Sequence, residues 1–469
     1  MKRVNLRRIR DTKTQNLKEY YYSKHDLSHE YKLERKFRCK KGRYNFQEII
    51  YWFFKILAMP ITGSIFIIFF ILIGAFRYPF LSSSVRFIFL FSCVLIFSHL
   101  RERLRAYKYQ NKNNVIKHNC FTLNRIKEVS IEIGFVGDIM RMKNFLRSYD
   151  LRFNPSVKCF FKEVDVIVGN LEGVISLKRG TLLKQSLQTK IISELEDLLI
   201  SPSSKWLLCL SNNHSADFGL VNFNHSLFSI IQNPNFYVFG RKDIPKVLLT
   251  NKINIACASE WSNYDNFEYI SKYSNKKLKE YHCFCKFNIL FPHWGYENER
   301  YVRTRIQKDA LALLTGEKQH YSWYQRFIRK RLKKKIRALK YRKWDLIFGH
   351  HPHVRQPIMK FFDNKENVYK LVVFSGGNFT SGALILRRKK HTRGIIMKCK
   401  IGPLASCPSK MAIGQVKWRK TRIKNKIGKY KKRTVYIDRK EEQMYNIYAL
   451  AFIIIAWLLF IITILIEWI

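Results

Sequence analysis

Acidic residues are scarce in this sequence: 34 Asp and Glu stand against 86 Lys and Arg among 469 residues, a formal net charge of +52. A balance this basic raises the question of a nucleic-acid partner, but no recognisable nucleic-acid-binding module and no internal repeat is visible. Disulfides are not indicated either, since of ten cysteines only Cys283 and Cys285 lie close together, without zinc-type spacing. We therefore expect reduced thiols and no nucleic acid.

A cleavable signal peptide is not expected, because the first long apolar run begins about fifty residues into the chain. Residues 56–76 and 447–466 are uncharged, and each run is long enough to cross a bilayer at ~1.5 Å per residue. Residues 78–100 form a third candidate, which Arg86 interrupts. These runs predict membrane-spanning helices at both ends of the chain, a membrane localisation and membrane lipids as partners.

The side of the membrane depends on the number of spans. With three spans, the basic amino-terminal arm, the central part of the chain and residues 417–433 all lie on one side, which the positive-inside rule makes cytoplasmic. With two spans, the central part lies across the membrane from the arm. The charge distribution favours the cytoplasmic side, and an extracytoplasmic position is the alternative.

Short apolar runs in the middle of the chain end in polar residues that can bind metals or move protons. There are six such runs, at 129–138, 165–172, 206–217, 287–295, 345–354 and 371–379. Apolar runs of roughly four to eight residues, with helical patterns between them, predict an α/β fold with a largely buried sheet covered by helices. Since such folds place their chemistry at the carboxyl ends of strands, we expect these polar residues to act together.

The run that ends in Gly349-His-His-Pro-His353 is the most informative. Gly349 allows a sharp turn, from which His351 and His353 emerge together. Imidazole, carboxylate and carboxamide groups together suit Mn, Fe or Zn better than Ca or Mg, because nitrogen donors favour the later metals. A carboxylate can bridge two such ions at about 3.5–4 Å, a spacing used to clamp a phosphoryl group.

His214 differs from the other imidazoles in its neighbours. It follows Asn213 directly and precedes Asp217 by three residues. If a helix begins here, His214 and Asp217 share a face, and the carboxylate can orient and charge the imidazole as a general acid. In the alternative interpretation, Asn213 and Asp217 only cap that helix.

Together these motifs resemble those of a known family. The residues that carry the resemblance are Gly137-Asp138-Ile-Met140, Asn170-Leu-Glu172, Asn212 to Gly219, His293-Trp-Gly295, Gly349 to His353 and Gly377-Asn-Phe379. They look like the CapA-type capsule, or poly-γ-glutamate, synthesis proteins, which are similar to the calcineurin-like metallophosphoesterases. The resemblance covers roughly residues 129–401. It implies a metallophosphoesterase-like β-sandwich flanked by helices.

The resemblance also assigns roles by position. It assigns six residues to one or two divalent ions: Asp138, Glu172, Asn213, His293, His351 and His353. It makes His214 the general acid, supported by Asp217. It implies a substrate-binding role for three asparagines: Asn170, Asn212 and Asn378.

One position departs from the family pattern. Two residues after the first metal-binding Asp, dimetal phosphoesterases usually have a His, whereas this chain has Met140. A thioether is a poor ligand for a hard or borderline ion. A site with one metal ion, or with none, is therefore the alternative to a dimetal site.

The expected organisation follows from these observations. It consists of a basic arm at 1–48, one or two transmembrane helices at 49–100, a CapA-like domain at 129–402, a basic linker at 403–444 and a transmembrane helix at 445–469. We expect a metal-dependent hydrolase or transferase that acts on a phosphorylated or polyanionic cell-envelope substrate, with other capsule-synthesis proteins as further partners. The alternative is a non-catalytic component that binds or exports the polymer.

Overall fold

Each of the six apolar runs contains a strand, and the strands belong to two sheets. The structure is a computed structural model that describes Glu102 and the ranges 115–140, 150–176, 184–263, 268–284, 286–316, 342–381, 389–426 and 432–438. The described strands are β1 (Cys120–Thr122), β2 (Ile131–Ile139), β3 (Asp150–Phe153), β4 (Val166–Leu171), β5 (Val174–Ile175), β6 (Ser186–Leu187), β7 (Lys205–Cys209), β8 (Phe236–Phe239), β9 (Lys246–Thr250), β10 (Ile253–Ser259), β11 (Phe287–His293), β12 (Leu346–Phe348), β13 (Ile358–Asp363), β14 (Val368–Val373), β15 (Arg393–Leu404), β16 (Cys407–Lys426) and β17 (Lys432–Ile437).

Both large sheets have parallel strands at their centres. The nine-stranded sheet has the order β3-β17-β16-β15-β2-β4-β7-β8, with β1 paired to β16. In it, β2, β4, β7 and β8 are parallel, and β15 joins β2 in antiparallel pairing. The six-stranded sheet has the order β13-β14-β12-β11-β10-β9, in which only the edge strands β9 and β13 pair antiparallel. Strands β5 and β6 form a separate parallel pair.

Five α-helices lie within the described ranges, and all are short. They are α1 (Pro155–Phe160), α2 (Ile191–Glu196), α3 (Leu220–Ile231), α4 (Asn275–Tyr281) and α5 (Thr304–Thr315), with a 3-10 helix at Lys389–Thr392. Side chains cap two of them: Asn154 accepts a hydrogen bond from the backbone N–H of Ser156, and Ser274 from that of Lys277. Each helix buries one apolar face and therefore depends on the sheets for its stability.

The main apolar core lies between the two large sheets. Phe135 of β2 stacks on Phe348 of β12 with ring centroids 5.2 Å apart, and Phe348 stacks on Phe291 of β11 at 5.7 Å. Two further clusters lie on the outer faces, where α1, α2 and α3 pack against the larger sheet and α4 and α5 against the smaller one. This packing holds the carboxyl ends of β2, β11, β12 and β14 in place.

The fold class expected from the sequence was wrong. Strand accounts for 44% of the structure and helix for 18%, in a mixed, half-barrel sheet, instead of an α/β metallophosphoesterase-like sandwich flanked by helices. The cause lies mainly in the last third of the chain. There β15, β16 and β17 extend the larger sheet through antiparallel pairs, with 12 and 20 residues in the first two strands.

The basic linker expected at 403–444 is one part of this correction. Most of its first thirty-odd residues belong to β16 and β17. In β16, the buried residues Val416, Trp418 and Ile423 are interspersed with basic residues, which is the mark of a strand with one buried face. The density of Lys and Arg in this stretch masked that pattern.

The membrane architecture and membrane localisation are also corrected. None of the helices within the described ranges has the length and apolar character needed to cross a bilayer, and the longest contain 12 residues. The apolar runs at 56–76, 78–100 and 447–466, on which that prediction rested, lie outside the described residues, as does the arm at 1–48.

Candidate metal centre

A glycine allows the end of β2 to meet the loop that follows β14. A Cβ atom at Gly137 would lie 1.9 Å from the carbonyl oxygen of Gly377, so no other residue fits without a shift of the backbone. At this contact the backbone N–H of Asp138 donates to the Gly377 carbonyl over 2.9 Å, and the N–H of Phe379 donates to the Asp138 carbonyl over 2.9 Å. The contact places Asp138 beside Asn378.

The histidine loop after β12 has an unusual backbone. His351 and His353 have φ angles of 99° and 57°, in the left-handed region that non-glycine residues rarely adopt. Each such residue costs about 1–3 kcal/mol, which the surrounding structure must offset. Gly349 was expected to supply the turn but does not have positive φ; it is needed because a Cβ there would lie 2.2 Å from the Phe374 carbonyl oxygen.

Buried donor groups converge where these segments meet. Three sets of residues each bring their ligand atoms within 4.8 Å of one another: Asp138, His293 and His350; Glu172, His293 and His351; and Asp138, Glu172 and His353. All of these residues are buried, at most 3% exposed. Clusters of buried His, Asp and Glu of this kind could hold a metal ion. The cluster formed by these six residues is called the donor cluster below.

The predicted ligand Asn213 lies beside the donor cluster. Its Oδ1 atom is 2.9 Å from Nε2 of His293. The other five predicted ligands all belong to the donor cluster, so the structure brings the whole predicted set together. Whether these side chains bind metal stays a prediction.

Asp138 is the most heavily engaged carboxylate. Its Oδ2 atom lies 3.1 Å from Nδ1 of His353, and its Oδ1 accepts a hydrogen bond of 2.8 Å from Nδ2 of Asn170. Burial by itself would raise the pKa of Asp138. The hydrogen bond and charge of His353, the charge of His350 and the hydrogen bond from Asn170 outweigh it and lower the pKa to about 2. The group is therefore an anion, the form that binds a cation.

The surroundings of His293 favour its neutral form. Burial, followed by the charges of the neighbouring imidazoles of His351 and His350, lowers its pKa well below the usual value. Its Nδ1 atom lies 2.8 Å from Nδ1 of His350, at a parallel bridge between the ends of β11 and β12. A neutral imidazole is the form that coordinates metals.

Two of the three asparagines assigned to substrate form a chain of hydrogen bonds behind the donor cluster. Nδ2 of Asn170 donates to Asp138 and, over 3.3 Å, to Oε2 of Glu172. Nδ2 of Asn212 donates to Oδ1 of Asn170 over 3.0 Å, and Oδ1 of Asn212 accepts from the backbone N–H of His214 over 3.0 Å. Both side chains are fully buried, so their contacts are with protein groups that they position.

The side chain of Asn378 also contacts protein groups at the donor cluster. Its Oδ1 atom lies 3.1 Å from Nδ1 of His353, and its Nδ2 donates to the carbonyl of His391 over 2.9 Å. It is fully buried. Asn170 and Asn378 therefore contact metal-type ligands, as the outer residues of metal sites do, while Asn212 contacts Asn170 and the backbone of His214. Their substrate-binding role stays a prediction.

His214 and Asp217 form a buried pair. Nδ1 of His214 lies 2.6 Å from Oδ2 of Asp217, and the same oxygen accepts a 2.6 Å hydrogen bond from the backbone N–H of Gln185. Asn263 lies 3.3 Å from Nδ1 of His214. No helix begins at Asn213: the pair lies on turns, and α3 starts at Leu220 with Gly219 as its N-cap. The capping alternative therefore does not describe these residues.

Sequence reasoning missed His350. The spacing of His351 and His353 predicted that their two side chains point the same way, and His350 between Gly349 and His351 was not chosen as a ligand. In the structure His350 belongs to the donor cluster with Asp138 and His293. Met140 is fully buried, and its carbonyl accepts a 3.0 Å hydrogen bond from Oγ1 of Thr380. Next to Asp138, the imidazole of His350 has its Nδ1 atom 3.7 Å from Oδ1 of Asp138 and 2.8 Å from Nδ1 of His293.

Trp261 was also missed. Its ring stacks on His351 with centroids 5.6 Å apart, and its Nε1–H donates to the Gly295 carbonyl over 2.6 Å. Trp261 and Asn263 follow β10, a buried apolar strand. The end of β10 has the same sequence pattern as the other six strand ends, an apolar run followed by polar residues. That pattern was the signal that could have identified Trp261 and Asn263.

Comparison with known proteins adds no family assignment. No protein-family model matches this chain, and no curated protein matches it. The resemblance to CapA-type proteins therefore rests on the six motifs alone.

Proposed function

We propose that this chain is a metal-dependent hydrolase or transferase of the phosphoesterase type, acting on a phosphorylated or polyanionic substrate in the synthesis of capsule, poly-γ-glutamate or a related cell-envelope polymer. One observation carries the proposal: the His214–Asp217 pair adjoins the donor cluster. Asn213 makes the connection, because it precedes His214 in the chain and contacts His293. The link to capsule or poly-γ-glutamate comes from the CapA-like motifs.

The donor set fits one or two divalent ions. Imidazole nitrogens combined with carboxylate and carboxamide oxygens suit Mn, Fe or Zn. Asp138, Glu172 and His353 would hold one ion, and Asn213, His293 and His351 would hold a second. His350 belongs to a separate set with Asp138 and His293, and its Nδ1 and Nε2 atoms contact Nδ1 of His293 and the Phe291 carbonyl. When bound, such an ion supplies a Lewis acid that polarises a phosphoryl group.

His214 supplies the proton in the proposed reaction. The Asp217 carboxylate lies 2.6 Å from Nδ1 and fixes the ring orientation. Nε2–H is then the group that donates to the oxygen of the leaving group as its bond to phosphorus breaks. The buried surroundings of the pair keep bulk water away from this transfer.

A second candidate function is supported by Met140. Because its side chain is buried at the end of β2 and offers no nitrogen or oxygen donor, the chain departs from the catalytic pattern at this position. In a non-catalytic polymer-binding or export component, the same pocket would bind an anionic group of the polymer without turning it over. His350 weakens this alternative, since it restores a nitrogen donor next to Asp138.

An assay of phosphate-ester hydrolysis separates the two functions. The purified chain is loaded with Mn or Zn, and its rate is measured on an activated and on an unactivated ester. We expect metal-dependent turnover, which falls about 10²–10⁴-fold in His214→Ala, the usual contribution of a general acid. The loss should be larger for the unactivated ester, whose leaving group needs the proton. His225→Ala on the exposed side of α3 is the matched control.

Full activity of His214→Ala on the unactivated ester would contradict the assignment of the acid. An absence of turnover in the metal-loaded wild type, together with tight binding of an anionic polymer, would favour the second candidate.

A further inference from the structure

A group of arginines lies directly behind the histidine loop. Arg355 is two residues after His353, and its backbone pairs with Gly376. A Cβ atom at Gly377 would lie 2.9 Å from both the Arg355 nitrogen and the Arg393 oxygen, so the loop after β14 runs between these two arginines. This loop also carries Asn378, which holds His353.

A third arginine is brought to the same place by Gln356. The Nε2 group of Gln356 donates to the carbonyl of Glu299 over 2.9 Å and to that of Tyr301 over 3.2 Å. These two bonds hold the residues on either side of Arg300 against the residue that follows Arg355. The backbone segments that carry the three arginines therefore meet in one region. Arg300 is exposed there, Arg355 is half-buried, and Arg393 is buried with its Nε atom 3.9 Å from Oδ2 of Asp438.

The charges in this region are not balanced around Arg355. Two cations, Arg393 and Arg300, and one anion, Asp438, act on it. The Nη1 atom of Arg355 is buried with no hydrogen-bond partner among the described residues. A buried guanidinium donor without a partner is costly, unless an anion supplies the missing acceptor.

We propose that Arg300, Arg355 and Arg393 form an anion subsite, which binds a phosphate or carboxylate group of the substrate next to the group that reacts. Guanidinium groups suit this task because they present paired N–H donors to planar or tetrahedral oxyanions. The position fits a polyanionic chain, in which a second anionic group follows the first. The proposal rests on the proposed function only for the identity of the substrate, since anion binding itself needs neither metal nor turnover.

Calorimetric titration of the full chain with inorganic phosphate, in chelator and at low ionic strength, tests the subsite. We expect binding by the wild type and equal binding by His293→Ala, because the subsite does not use the donor cluster. Arg355→Met should raise Kd at least tenfold. The control Arg125→Met alters an exposed arginine at the amino-terminal side of β2 and should leave Kd unchanged.

Thermal unfolding keeps the test informative if binding is weak. Without phosphate, Arg355→Met should unfold at a higher temperature than the wild type, because a half-buried guanidinium with one unpartnered, buried donor has been removed. Phosphate should raise the unfolding temperature of the wild type but not of Arg355→Met. Arg355→Lys, which keeps the charge but loses the paired donors, should bind phosphate with intermediate affinity.

Titration with tri-glutamate in place of phosphate distinguishes the two sources of the anionic group. Tighter binding of phosphate assigns the subsite to a phosphorylated substrate, and tighter binding of tri-glutamate assigns it to a polycarboxylate. Unchanged phosphate affinity in Arg355→Met, loss of binding in His293→Ala, or binding of neither ligand would overturn the subsite. None of those outcomes would bear on the proposed function, because metal-dependent hydrolysis is measured separately.

Discussion

Strands β12 and β14 have a cluster of ionisable side chains near each end, buried at the carboxyl ends and buried or half-buried at the amino ends, and the two clusters are balanced in different ways. The donor cluster at the carboxyl ends consists of carboxylates and imidazoles. The cluster near the amino ends combines carboxylates with lysines: Lys343, Asp345, Asp363, Glu366, Lys370 and Lys410. It is called the lysine cluster below.

Lys370 lies at the centre of the lysine cluster. It is 2% exposed, and its Nζ atom is 3.3 Å from both Asp363 Oδ2 and Glu366 Oε2. Burial would raise the pKa of Glu366, but hydrogen bonds from Lys410 and Lys343, together with their charges and that of Lys370, lower it to about 2. Here the chain itself supplies the cations that neutralise its buried carboxylates.

The donor cluster is balanced differently. Asn170 donates hydrogen bonds to both of its carboxylates, and the charged groups beside them are the imidazoles of His350 and His353. The two clusters therefore balance their carboxylates in two ways. Ammonium groups of the chain do so in the lysine cluster, and imidazoles do so in the donor cluster, whose His, Asp and Glu groups could also hold a metal ion.

The largest effect on stability should come from removing the central lysine. Lys370→Met leaves buried carboxylates with one cation fewer, and breaking a buried ion pair costs about 3–5 kcal/mol. Chemical denaturation in the presence of a chelator should show this loss, with or without earlier metal loading. Lys277→Met breaks an exposed pair with Glu280 and should cost no more than about 1 kcal/mol. Equal losses in the two variants would remove the distinction between buried and exposed lysines.

A substitution in the donor cluster should reduce metal affinity strongly and change the stability of the metal-free protein little. His351→Gly removes a ligand and also relieves the backbone at φ 99°. Metal affinity should fall by more than about 100-fold, since even the outer residues of metal sites contribute roughly 10–100-fold. The free energy of unfolding of the metal-free protein should change by less than about 1 kcal/mol, because relief of strain offsets lost packing.

Elemental analysis and competition with a chromogenic chelator measure the first quantity, and denaturation of the stripped protein the second. His225→Ala serves as the control for metal binding. A metal-free His351→Gly protein destabilised as strongly as Lys370→Met would mean that the donor cluster is structural as well.

The smallest effect is expected from Asp345, which precedes β12. Burial raises its pKa to about 6, although Lys370 lies 3.7 Å away and the backbone N–H of Asn288 donates to it. A raised carboxyl pKa means that ionisation opposes folding: its stabilising contribution is complete below the ordinary pKa near 3.8 and is lost as pH rises through 6.

Asp345→Asn keeps the hydrogen bond from Asn288 and should therefore be more stable than the wild type at pH 8, by on the order of 1–3 kcal/mol. The difference should vanish near pH 4. Thermal unfolding across this range measures it. A variant that is less stable than the wild type at pH 8 would show that the ion pair with Lys370 outweighs the cost of burial.

The sequence predicted which side chains lie together better than it predicted the fold. Asp138, His293 and His351, which the structure brings into one cluster, were predicted because each follows an apolar run, a pattern that can be read within ten residues. The class of the fold was missed because β16 carries so many basic residues that its buried alternation was taken for a linker. His350 was missed because the direction of a side chain in an irregular loop is set by its partners, here His293 and Asp138.

The sequence alone determined where buried strands end and which of those ends carry metal-type donors, because apolar periodicity and side-chain chemistry are local properties. Tertiary structure alone decided which ends become neighbours. Asp138 and the backbone of His351 are 213 residues apart in sequence and lie 3.4 Å apart at the site. The same packing gives the two ends of β12 different neighbours: Asp345 lies beside lysines, and His350 lies beside carboxylates and imidazoles. The ionisation of a buried group depends on the groups that the fold places beside it.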